Sequence, residues 1–274
     1  MVTETIEISS SHRLFPDFKE VWRGRHLAFA LARRNIMTRY TQTVFGYVWF
    51  VAQPLLLTGI LALVVGRVLN APSDGIPYLL FVFSGTTLWT TFNRSVTDTS
   101  ISLAVSGSIL SKVYFPRLLV PISAVLTTII ELAPVYIMLF VGLVLYRKLA
   151  DWPLLAMPVF VLLALLLALA IGLWLTILDV FYRDTRLAAP YLFQFIFYLS
   201  PVIYAASAIP ERWKPLYYLN PITSLLDGFR WSLISGAPVP SAFEIVWLAG
   251  VCAGSLVGGC IVFARFESVV VDRI

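Results

Sequence analysis

Residues 152–178 read WPLLAMPVFVLLALLLALAIGLWLTIL, 27 residues without an acid or a base between Asp151 and Asp179. A helix of about 20 apolar residues covers the roughly 30 Å hydrocarbon core of a bilayer, so this run reads as a membrane span. Working outward from it, five more runs meet the same test. Residues 40–66 lie between Arg39 and Arg67, and residues 75–93 between Asp74 and Arg94. Residues 118–146 are interrupted only by Glu131, and residues 187–210 and 245–264 complete the set. The expected fold class is an all-α integral membrane protein with six transmembrane helices.

Composition agrees with that reading and removes other classes. Of 274 residues, 59% are hydrophobic and 13% charged, with a mean hydropathy of +0.86. Soluble domains carry about 25% charged residues, so a disordered chain is excluded and a soluble two-domain enzyme or a nucleic-acid partner is disfavoured. Cys252 and Cys260 are too few for a disulfide framework and read as small buried thiols. His12 and His26 both fall in the N-terminal arm, so no metal site is expected among the spans. No serine or cysteine has a histidine base beside it, and Asp179 and Asp184 around Arg183 read as a solvated loop pair. None of Lys19, Lys112, Lys148 and Lys214 follows a glycine, so a Gly-x-x-x-x-Gly-Lys-Ser/Thr phosphate loop is absent. The chain is therefore expected to be no enzyme, and to bind no cofactor of its own. An even number of spans puts both termini on one side. Counting Lys and Arg with the termini inside gives 14 inside and 6 outside, which favours N-in and C-in. Met1–Phe15 has no apolar core and reads as no cleaved signal.

Three regions are set off from the spans. Residues 1–39 form an expected cytoplasmic arm, where Phe18, Val21, Trp22 and Phe29 recur at helical spacing opposite Lys19, Glu20, Arg23 and Arg25. That pattern reads as an amphipathic helix on the membrane surface, with a solvated charged arm as the alternative. Arg33, Arg34 and Arg39 follow and are expected to meet anionic lipid. Residues 97–117 are rich in Ser and Thr and lead into Lys112–Arg117; a short cytoplasmic helix ending before Pro116 is expected, with a plain connector as the alternative. Within residues 205–240, Pro210, Pro215, Pro221, Pro238 and Pro240 exclude one long helix, while Trp213, Tyr217, Tyr218, Phe229 and Trp231 punctuate the segment. Short re-entrant helices between spans five and six are expected, against an interfacial aromatic belt as the alternative. Residues 40–264 then form the transmembrane domain and 265–274 a cytoplasmic tail. Gly250, Gly254 and Gly258 recur every four residues and would admit a close helix. Glu131 sits mid-span and needs protein or water around it, in either a structural or a transport role.

Several segments taken together resemble the membrane subunit of polysaccharide ABC exporters, the permeases for O-antigen, capsule or teichoic-acid chains. They are Arg39-Tyr40-Thr41-Gln42-Thr43-Val44-Phe45-Gly46-Tyr47-Val48-Trp49 with Gln53-Pro54, and Lys112-Val113-Tyr114-Phe115-Pro116-Arg117. Tyr182-Arg183-Asp184-Thr185-Arg186, Ser200-Pro201-Val202-Ile203-Tyr204, Asn220-Pro221-Ile222-Thr223 and Gly228-Phe229-Arg230 follow in order. The resemblance implies a permease in the bacterial cytoplasmic (inner) membrane, working as a homodimer among membrane lipids. It implies two copies of a separate ABC ATPase, which would hold the ATP and Mg. Lys112, Val113, Tyr114, Phe115, Pro116, Arg117, Arg183, Asp184 and Arg186 would then couple to that ATPase. Trp213, Tyr217, Tyr218, Phe229 and Trp231 would belong to an outer gate. The implied cargo is a lipid-linked glycan.

Sugar rings have apolar C–H faces, so aromatic side chains can hold a polymer without binding it too tightly to move. Tyr191, Phe195, Tyr198 and Tyr204 are expected to line such a channel in part, with lipid-facing or core positions as the alternative. Two other functions stay open at this point. An ABC permease for a small lipid or drug would respond to small amphiphiles. An ion-coupled carrier would want several buried ionisable groups, and Glu131 is the one clear case.

Overall fold

The computed structural model describes residues 15–41, 46, 48–110, 115–182 and 184–273. In chain order the helices are α1 (Phe18–Arg23), α2 (Arg25–Tyr40), α3 (Val48–Leu61), α4 (Tyr78–Val105), α5 (Gly107–Leu110) and α6 (Leu119–Leu145). α7 (Met157–Phe181), α8 (Thr185–Leu199), α9 (Lys214–Tyr218), α10 (Pro221–Leu233) and α11 (Ala242–Arg273) follow. α3 continues into a π-helical stretch, Ala62–Val68, and a 3-10 turn, Trp152–Ala156, leads into α7. Among the described residues there is no strand, only an isolated bridge between Leu149 and Ile234. The all-α expectation holds.

Four stretches are long and apolar enough to cross a membrane: Val51–Val68, Leu119–Leu145, Trp152–Phe181 and Ala242–Phe266. They coincide with the first, third, fourth and sixth expected runs, although Tyr40 belongs to α2 and Thr41 leaves the helix at ψ 128°. At the other two runs the helices have different bounds. Residues 75–93 are the front of α4, which continues through Arg94 and Asp98 to Val105. Among the described residues of 97–117 the separate helix is α5, because most of the Ser/Thr stretch prolongs α4. Thr97 bonds back to Asn93 O at 2.8 Å and the buried Ser102 to Thr99 O at 2.7 Å, which for Ser102 offsets the penalty of burial. In the fifth run the helix ends at Leu199 and not at 210. Ser200 turns extended ahead of Pro201, as a residue before proline prefers.

α4 is the centre of the bundle, packed against α7, α6, α3 and α10. It is also polar inside: Ser84, Thr86, Thr87, Thr91, Ser95 and Thr99 are all buried. The outer helices show the reverse, with Leu145, Leu155, Ile137 and Val246 exposed. That inversion suits a lipid surround, where small side chains and interhelical hydrogen bonds, and not water exclusion, join helices. Thr58 and Thr86 share a hydrogen bond at 2.9 Å, as do Thr91 and Tyr136, and Thr176 donates to Thr99 O at 3.0 Å. Gly172 of α7 accepts the Thr99 side chain so closely that a Cβ there would lie 2.5 Å from it.

Asp17 starts α1 by accepting from the amides of Lys19 and Glu20. Gly24 separates α1 from α2 and rests on Leu119, where a Cβ would come 2.6 Å from Cδ1. α2 lies along α6 and buries Ala28, Leu31, Ala32 and Ile36, while Phe18 and Trp22 of α1 and Phe29 of α2 are exposed. The Gly250/Gly254/Gly258 stripe seats no helix at its first two positions. α11 approaches α7 closely at Gly259, where a Cβ would lie 3.0 Å from Ala170 O.

Candidate functional site

Glu131 is 1% exposed and lies at the centre of an ionic knot between α2, α4 and α6. Arg39 Nη1 donates to both of its oxygens, at 3.3 and 3.0 Å, and Arg94 Nε stands 3.7 Å away. Arg39 Nη2 also reaches Asp98 at 3.0 Å. Two cations thus meet two carboxylates, and the burial of Glu131 is compensated. Arg39 was expected at lipid headgroups; it is occupied by carboxylates of α4 and α6. Arg34 is turned toward Ser106, at 3.4 Å.

The expected coupling residues are described in part. Lys112, Val113, Tyr114 and Arg183 lie outside the described residues. Phe115 is buried against the cluster of Ala28, Leu118, Leu119 and Leu173, so it anchors the start of α6 and does not present its ring at the surface. Pro116 and Arg117 are half-buried and Asp184 is exposed. Arg186 grips the buried Asp179 with Nε and Nη2, one to each carboxylate oxygen, and closes the turn between α7 and α8. Thr97, Ser100, Thr185 and Phe193 complete a recess around the pair.

α8 has two unlike faces. Phe193 meets Phe92 edge-on at 6.2 Å and Phe197 lies 5.4 Å from Trp89, seating the helix on α4. On the other face Tyr191, Phe195 and Tyr198 are exposed by 67, 64 and 54%. Tyr204 is not with them. It lies past the helix end, with its ring 6.4 Å from Tyr217 and its hydroxyl donating to Tyr198 O at 3.2 Å.

The expected gate residues are also divided. Trp213 is exposed, and Tyr217 and Tyr218 of α9 are half-buried. Phe229 is fully buried, edge-on to Tyr136 at 6.2 Å, and Trp231 packs between Trp152 and Phe160. Phe229 is thus packed inside the bundle, while Trp231 is half-buried. Arg230, between them in sequence, received no role from sequence reasoning, yet it is 3% exposed. The available signal was a cation in an apolar run between prolines. Beside it, Asp74, Tyr218, Asp227 and Glu244 border a recess. Among the described residues no group of His, Cys, Asp or Glu is arranged to hold a metal ion.

The family of ABC-2 type transporters matches residues 26–234, which takes in the ionic knot, the α8 face and Arg230. The chain is 26% identical over 226 residues to the O-antigen export system permease protein RfbA of Klebsiella pneumoniae, covering 82% of this chain and 86% of that one. It is 27% identical over 236 residues to a protein of the same name from Myxococcus xanthus, covering 85% and 89%. With more than half of its length matched from α2 to the end of α10, the chain belongs to the ABC-2 type transporter family, as a membrane component of transport and not a catalytic enzyme.

Proposed function

We propose that the chain is the permease subunit of an ABC transporter that exports a lipid-linked polysaccharide across the bacterial cytoplasmic membrane. The observation that carries this is its likeness to O-antigen export permeases over more than four-fifths of its length. ATP would be hydrolysed with Mg in a separate subunit, present in two copies. Six crossings follow if α4 and α8 join the four apolar stretches, with the polar groups of α4 turned to protein. Both termini then face the cytoplasm, in keeping with the distribution of Lys and Arg. Two copies of the chain would bring their exposed α8 faces to a shared conduit. There Tyr191, Phe195 and Tyr198 offer ring faces to the C–H faces of passing sugars. The ATPase would dock on α1, on the segment ending at Arg117 and on the turn at residues 183–186, while α9 and its surroundings would form the outer gate.

The test uses the permease purified with its ATPase in lipid. ATP turnover that rises with an undecaprenyl-linked glycan supports the reading. Turnover that ignores the glycan and rises with small amphiphiles replaces it with a small-lipid or drug permease.

A further inference from the structure

Between Leu199 and Ala205 the chain leaves α8, passes Pro201 and turns without a helix to satisfy its carbonyls. Three side chains from elsewhere hold it. Arg230 Nη2 donates to Val202 O at 3.1 Å and to Phe81 O at 3.3 Å. Tyr78 donates its hydroxyl to Ile203 O at 2.6 Å, and Asn220 Nδ2 donates to Ser200 Oγ at 2.9 Å. The Arg230 guanidinium lies 3.7 Å over the Phe81 ring, and its Nη1 is 3.9 Å from Asp227. A glycine makes the crossing possible. A Cβ at Gly85 would stand 2.6 Å from Arg230 Nη2 and 2.8 Å from Val202 O. A buried cation is costly unless stacked and hydrogen-bonded, and a planar guanidinium can satisfy a ring and two carbonyls at once.

We infer that Arg230 is a positioning residue for export: by pinning the 200–204 turn to α4 it fixes the outer end of α8 and hence the direction of the Tyr191/Phe195/Tyr198 face. Its effect on export rests on the permease reading above; the pin itself does not. The other end of α8 is fixed by Arg186 on Asp179, and its middle by Phe193 and Phe197. Of the three side chains that hold the outer turn, Arg230 alone bonds two carbonyls and so ties the turn to α4 through Phe81 O. Losing the pin frees the end that carries Tyr198.

The test compares full-length Arg230→Met, Arg230→Lys, Gly85→Ala and the double variant Gly85→Ala/Arg230→Met, reconstituted with the ATPase. Amide exchange over residues 200–205 should quicken about tenfold in Arg230→Met and Gly85→Ala while α6 keeps its protection. Arg230→Lys should fall between, because an ammonium cannot both stack and reach two carbonyls. The double variant should be no worse than the worse single, since both changes remove one interaction. Export per folded molecule should fall in the same order, whereas a merely stabilising role would lower the yield of folded protein and leave that ratio alone. Should Arg230→Met not fold, Gly85→Ala and Tyr78→Phe, which keep the cation, carry the decision. Unchanged exchange at 200–205 in folded variants overturns the inference, and so does unchanged export per folded molecule. Faster exchange in a protein whose wild type moves no glycan sinks the cargo reading and leaves the pin standing.

Discussion

Removing the carboxylate of Glu131 leaves Arg39 and Arg94 converging on an empty centre, with Asp98 as the remaining anion. Breaking a buried ion pair from one side costs about 3–5 kcal/mol, and the partial exposure of both arginines places Glu131→Gln near the low end. Thermal unfolding of the purified variant checks this; a loss under about 0.5 kcal/mol would show that the knot contributes little. Glycines give a second contrast. Gly228 faces the Phe160 ring so closely that Gly228→Ala must displace it, and overpacking of that kind costs about 1–3 kcal/mol. Gly250 has nothing within 4 Å, so Gly250→Ala should be neutral or slightly stabilising in the same assay. At this scale the sequence marked Glu131 as a residue in need of partners and could not name them. Arg39 is 92 positions away and, by position alone, reads as a lipid anchor.

α4 shows why charge-free runs locate helices better than they end them. Arg94 closes the run at residue 93, yet the helix continues twelve residues further to Val105, because its cation and Asp98 are met by α2 and α6 and the hydroxyls of Thr97, Ser100 and Ser102 by its own backbone. Those compensations are tertiary, so nothing local announces them. Pro201, by contrast, was visible, and it is what ends α8 early. Thr99→Leu should disrupt α4–α7 packing by about 2 kcal/mol or more, since Gly172 leaves space only for a small side chain. Thr91→Ala, which loses one interhelical hydrogen bond to Tyr136, should cost about 0.6 kcal/mol. Equal costs in unfolding measurements would contradict this view of α4. The exposed ring face of α8 was legible as a spacing of four and three residues; Tyr204 was not distinguishable from it before the turn was seen. Replacing Tyr191, Phe195 and Tyr198 together by Ala should leave the amount of folded protein unchanged and reduce export. Normal export with normal chain length would remove the rings from the conduit.

For the whole molecule, the chain is apolar outward, polar at its central helix and without a phosphate loop of its own. On the proposed reading, a transport cycle driven by ATP takes its work from a separate subunit, through α1 and the segments at Arg117 and Arg186. Charge reversal at Lys112 or Arg117 should uncouple ATP hydrolysis from export in a folded permease; wild-type coupling in both variants would count against that route. The most direct measurement places the purified chain in liposomes and follows movement of an undecaprenyl-linked glycan, with and without the ABC ATPase and ATP. The account predicts movement only when both are present. Movement by the chain alone would contradict it.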